Sequence, residues 1–223
     1  MVRMSDPEKT VENVENYMKL DEVLPPPDLN YEFFFWSPYE GGAWGSYEKY
    51  VAEYNDSGTR VDVGQGPTII AVDNDPGVSW SIAVGIAQWT NNSNDLNNLA
   101  GLCKYLGEFD PLLSSLADYG NKNASFFNEN LQAFKDDWNA ICSTQEGYNK
   151  MIEGQMTYAY EEEWLNSSNN YYKSISAWAQ SRPMAVQGMI FSVMNWGNYD
   201  CPGGKLLDPV EESKDDLSLI KAL

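Results

Sequence analysis

From Trp89 onward, apolar residues recur three and four positions apart. This spacing predicts helices over residues 96–106, 111–119, 125–141, 145–164, 171–179 and 183–196. The clearest stripe is Phe126, Phe127, Asn130, Leu131, Phe134, Trp138 and Ile141, which shares one helical face. Before Trp89 the period shortens to two. Residues 59–63, 67–72 and 81–86 read as strands, separated by Gly64-Gln65-Gly66 and by Asp73-Asn74-Asp75-Pro76-Gly77. Further upstream, residues 46–54 predict a short helix capped by Ser46 and stopped at Asn55-Asp56-Ser57-Gly58. Residues 31–39 are aromatic, and Pro38 with Gly41-Gly42 excludes a long helix there. An amphipathic helix is expected over 5–20, capped by Ser5 or Asp6, with a stiff linker at Pro25-Pro26-Pro27. The fold class that follows is α+β: mainly helical, with a small antiparallel sheet of three strands near the N-terminal part. The expected organisation is an arm over 1–39, one domain over 40–200 and an acidic tail over 201–223.

Composition sharpens this layout. The chain has 223 residues, 43% hydrophobic and 13% aromatic, enough for one buried core. Lys and Arg number 14 against 33 Asp and Glu, a net charge of −19. Such a field repels phosphate backbones and anionic lipid, which argues against nucleic-acid and membrane partners. Cys103, Cys142 and Cys201 are scattered, and their spacing suits buried reduced thiols better than a disulfide framework. The N-terminal residues lack an apolar signal-peptide region, so synthesis in the cytosol is expected. No apolar run reaches the roughly 18–20 residues of a membrane span.

There is no histidine. This removes imidazole bases, His triads and His metal ligands, and it leaves paired carboxylates as the leading chemistry. No metal or cofactor is expected; Asp73-Asn74-Asp75-Pro76-Gly77 lacks the closing Glu of a calcium loop and reads as a turn. Glycoside hydrolysis needs one half-desolvated carboxyl group to protonate the leaving oxygen. A second often activates water or steadies the oxocarbenium charge. Glu53 fits the first role, in the last turn of the predicted 46–54 helix beside Tyr50 and Tyr54. Asp73 and Asp75, in the turn after the second strand, fit the other.

A helix ending in Glu, a small sheet, a Gly-x-x-Gln-Trp motif and a helical lobe resemble the lysozyme superfamily. Val84-Gly85-Ile86-Ala87-Gln88-Trp89-Thr90 looks like a segment of phage tail lysozymes and bacterial cell-wall muramidases. Phe134 with Trp138, Gln155 with Tyr158, and Met194-Asn195-Trp196-Gly197 resemble, in order, the helices of the family-46 chitosanases. The resemblance covers residues 40 to 197. It implies a peptidoglycan-degrading glycosidase with Glu53 as general acid and Asp73 or Asp75 as second carboxylate. Gln88, Trp89, Tyr54, Gln155 and Asn195 would lie along the glycan. Tyr39-Glu40-Gly41-Gly42 resembles the acid motif of other phage muramidases, so Glu40 is the alternative acid.

The residues also admit plainer readings. Trp89, Trp138 and Trp164 read as core, which leaves Trp44 and Trp80 as the better sugar platforms. Glu161-Glu162-Glu163 reads as a solvated helix face. Peptidoglycan is the first substrate and chitosan, a polycation suited to an acidic protein, the second. A lysin would act on the cell wall after lysis or from a phage particle. A virion or surface protein that keeps the fold without activity is the reading from another class, with residues 31–39 as an assembly surface.

Overall fold

The computed structural model describes residues 31–34, 36, 53–54, 60–63, 68, 70–73, 82–91, 98–168 and 170–195. The expected helix over 5–20, the proline linker and the acidic tail lie outside them. The described chain is α+β, as the periodicity predicts. It opens with a four-residue helix α1 (Tyr31–Phe34). Five strands follow: β1 (Glu53–Tyr54), β2 (Arg60–Val63), β3 (Ile70–Asp73), β4 (Ile82–Val84) and β5 (Trp89–Thr90). They form one antiparallel meander in chain order. The three expected strands are its centre, and β1 and β5 add short edges.

The register explains the alternation. Tyr54, Val61, Val72 and Ile82 hold facing positions across four strands, and Val63, Ile70, Val84 and Trp89 do the same one step along. Both rows belong to one face. The other face carries the row Glu53, Asp62, Ala71, Ala83 and Thr90, together with the facing pair Arg60 and Asp73. Ile70, Ile82, Val84 and Trp89 are buried in the core that the sheet shares with the helices.

The helical part begins with α2 (Leu99–Phe109), where the Asn98 side chain accepts from the Gly101 amide as N-cap. A 3-10 helix (Pro111–Tyr119) follows, with Pro111 in its first turn and Asp110 capping the Leu112 amide. It lies against α2 where Gly107 lets the Ala117 backbone approach. Next are α3 (Ala124–Glu129) and α4 (Leu131–Cys142). The single helix expected over 125–141 is thus broken at Asn130. The Asn130 amide nitrogen and its side chain both donate to the Phe126 carbonyl, each at 2.9 Å.

The expected helix over 145–164 also divides. Helix α5 (Gln145–Thr157) passes into a π-helix (Tyr158–Leu165), whose amides reach back five residues. The pattern of α6 (Asn170–Ala179) and α7 (Met184–Asn195) matches expectation.

Two aromatic clusters make most of the core. Tyr119, Phe127, Phe134 and Trp138 pack in stacked, edge-on and tilted pairs at 5.1–5.9 Å. Phe33 packs on Tyr160, Trp164 and Phe191 at 5.1, 5.8 and 5.4 Å. Phe33, Phe34 and Trp36 are therefore core residues. This corrects the reading of these positions as an arm or assembly surface: their apolar area is spent on α7 and the π-helix. Cys103 and Cys142 are buried free thiols, and burial raises the pKa of both. No helix among the described residues is long and apolar enough to cross a membrane.

Truncating the centre of the first cluster tests this core. Phe134→Ala is expected to lower unfolding stability by about 3–5 kcal/mol, measured as a fall in the urea midpoint at unchanged slope.

Candidate functional site

The segments singled out in the sequence meet at the turn that joins β4 to β5. Gly85 and Gln88 both adopt left-handed backbone, with φ of 72° and 54°. The Gln88 amide closes the turn onto the Gly85 carbonyl at 3.1 Å, and its side-chain nitrogen adds a second bond there at 3.2 Å. Glycine is required at position 85, because a β-carbon would run into the Gln155 side-chain oxygen.

Ile86 and Ala87 are fully buried, so the turn brings main-chain polar groups into the apolar interior. Three helices meet them. The Ile86 amide donates to Gln155 Oε1 of α5 at 3.0 Å. Asn195 Nδ2, at the end of α7, donates to the Ala87 carbonyl at 2.7 Å. The Trp89 indole nitrogen donates to Glu163 Oε1 of the π-helix at 3.0 Å.

Gln155, Asn195 and Trp89 are 0%, 4% and 0% exposed. They are interior braces, and the expectation that they line a glycan cleft is corrected. Only Gln88 of this group keeps partial exposure. Glu163, expected on a solvated face, is buried as well, whereas Glu161 and Glu162 are exposed. The run of three Glu hid it, and only the facing Trp89 indole reveals its role. Trp138 and Trp164 are core, as read.

The candidate carboxylates lie elsewhere on the sheet. Glu53 is on strand β1, not at a helix end, so the helix dipole argument for it falls. Asp73 closes β3 rather than standing free in a turn. Register places Glu53 opposite Asp62, a residue that sequence reasoning passed over as the polar half of an alternating strand. Glu53, Asp62 and Asp73 share the sheet face opposite Trp89. Tyr54 holds a position on the other face, in the row of Val61. Glu40, Asp75, Trp44 and Trp80 lie outside the described residues. Among the described residues, no group of three or more Cys, Asp or Glu could hold a metal ion.

A second polar neighbourhood surrounds Tyr105, whose ring stacks on Phe109 at 5.7 Å and tilts onto Tyr158 at 5.2 Å. Partial burial, then the charges of Glu161, Glu162 and Glu153, push its hydroxyl from 10.0 up to about 12. Burial also raises Tyr119, Tyr148 and Tyr158, with Asp137 adding to Tyr119 through a 2.7 Å hydrogen bond.

The chain matches no family model, no curated protein and no solved structure. The site rests on its own geometry.

Two measurements test it. Gln155→Ala removes the acceptor of a buried amide and is expected to cost about 1–3 kcal/mol, read from denaturant unfolding. The alkaline limb tests the tyrosines. A pKa raised in the folded state favours the neutral form, so this stability is complete below the ordinary value of 10.0 and, for Tyr105, is lost as pH rises to about 12. Tyr105→Phe is expected to flatten that loss, followed by tyrosinate absorbance together with circular dichroism.

Proposed function

We propose that this chain is a glycoside hydrolase of lysozyme-like architecture. It is of the muramidase or lytic transglycosylase type and acts on β-1,4-linked amino-sugar polymers. The observation that carries the reading is the meeting of three distant segments. The Gly85-x-x-Gln88-Trp89 turn, Gln155 and Asn195 each lie in a segment that resembles these enzymes. Hydrogen bonds spanning 69 and 108 residues of chain join them at one point. The order of elements, small sheet before helical lobe, supports the same architecture.

The chemistry falls to the carboxylate face of the sheet. Facing positions of an antiparallel pair have α-carbons about 4.5–5.5 Å apart. Glu53 opposite Asp62 meets the need for an acid that protonates the glycosidic oxygen and a base beside it. Asp62 thus joins Asp73 and Asp75 as a candidate second carboxylate for Glu53, and Glu40 stays the alternative acid. Peptidoglycan is the first substrate. The −19 charge opposes approach to an anionic wall, which keeps cationic chitosan and action from within a phage particle in play.

One observation favours a second reading, a virion or surface protein that keeps the architecture without activity. Gln155, Asn195 and Trp89 serve packing rather than a cleft.

Release of reducing ends from peptidoglycan and from chitosan, at several salt concentrations, separates the two. The hydrolase reading expects turnover that falls about 100-fold or more in Glu53→Gln, with a similar loss in Asp62→Asn. Activity that survives both Glu53→Gln and Glu40→Gln would remove the acid assignment. No release from either polymer would favour the structural protein.

A further inference from the structure

We infer that the aromatic segment at residues 31–36 is a latch that holds the turn at 85–89 from a distance. The inference does not depend on the hydrolase reading.

Phe33, Phe34 and Trp36 are 0%, 2% and 3% exposed. Their helix has only four residues, too few to persist in water without support. The support is a seat between the π-helix and α7. Phe33 touches Tyr160 and Trp164 on the π-helix side and Phe191 on the α7 side. At Gly188 the missing β-carbon admits the Phe33 main chain, because a β-carbon there would strike its carbonyl.

Both walls of this seat also brace the turn. Glu163, between Tyr160 and Trp164 in sequence and adjoining the latter, accepts from the Trp89 indole. Asn195, at the end of the α7 helix that carries Gly188 and Phe191, donates to the Ala87 carbonyl. A direct link ties the walls together, since the Trp164 indole donates to Gln187 Oε1 at 3.1 Å. The seated segment therefore sets the spacing of the π-helix and α7, and that spacing sets whether Glu163 and Asn195 reach the turn together. The π register is itself an unfavourable hydrogen-bonding pattern that persists only where tertiary contacts hold it. Removing Phe33 withdraws two of those contacts at once, those to Tyr160 and Trp164, and its contact with Phe191 on α7 as well. Anything that draws residues 31–36 from the seat loosens the turn, and with it the part-exposed Gln88.

Hydrogen exchange by mass spectrometry on the full chain tests the coupling. The reporters are the amides of Ile82, Ile86 and Gln88, bonded to Asn91, Gln155 and Gly85. Phe33→Ala empties the seat. Gly188→Ala blocks it from the other side while strengthening α7 as a helix. In both variants, exchange over residues 82–91 is expected to quicken about ten-fold or more relative to the unaltered chain. Peptides from α2 and from α4 should not change. If Phe33→Ala fails to fold, Gly188→Ala carries the test alone. Unchanged exchange over 82–91, in a variant whose residues 31–36 do exchange faster, would overturn the latch. Equal acceleration across α2, α4 and the turn would also overturn it, by showing global loss of stability instead.

Discussion

The structure depends on satisfying two main-chain groups at one buried turn. Strand β4 ends at Val84 and β5 begins at Trp89, so the Ile86 amide and the Ala87 carbonyl fall between ladders. Both residues are fully buried, and water is not available to either. A buried amide left unpaired costs about 1–3 kcal/mol, a large part of the margin that keeps a domain folded. The partners must come from the helices. Gln155 ties α5 to the turn, and Asn195 ties the end of α7 to it. Once those two bonds are made, the relative placement of sheet and helices has little freedom left.

The π-helix follows from the same constraint. The Trp89 indole points a donor into the core and needs an acceptor. Glu163 supplies it while its neighbour Trp164 must also turn inward, to bond Gln187 and pack on Phe33 and Phe191. Bonding to the fifth residue along brings positions i+4 and i+5 to either side of position i. Ala159, Glu163 and Trp164 then all face the interior, and all three are buried. An α register would turn Trp164 away from that side. The change of helix type is thus how one short segment serves two neighbours.

This also explains what could be read from the sequence. Periodicity located the helices and the three central strands, because burial of one face is a local property of α2, α4 or β3. It could not see the break at Asn130, since the apolar stripe from Phe127 to Phe134 runs through it. Nor could it see the π-helix, for apolar residues continue across Tyr158. Glu163 looked like part of a charged run, and its partner Trp89 is 74 residues away. Residues 33–36 looked like an arm, because nothing near them in sequence tells of Gly188. Gln155 and Asn195 stand out in the sequence as polar residues in helices, but pattern alone does not separate a group that touches a ligand from one that braces the main chain. Glu53 and Tyr54, expected in the last turn of a helix over 46–54, form a strand because they pair with β2, while residues 46–52 lie outside the described residues. That strand pairing outweighs the local helical preference.

The sheet divides its labour between its faces. The rows that contain Val84 and Trp89 are apolar and bind the sheet to the helical part. The row of Glu53 and Asp62 continues into Ala71 and Ala83, which are both buried, so this face too is covered at the centre of the sheet. In a protein of net charge −19, facing acidic positions on neighbouring strands repel one another and tax the fold. The braces at Gln155, Asn195 and Trp89 act on the turn between β4 and β5, at the far end of the strand order from Glu53 and Asp62.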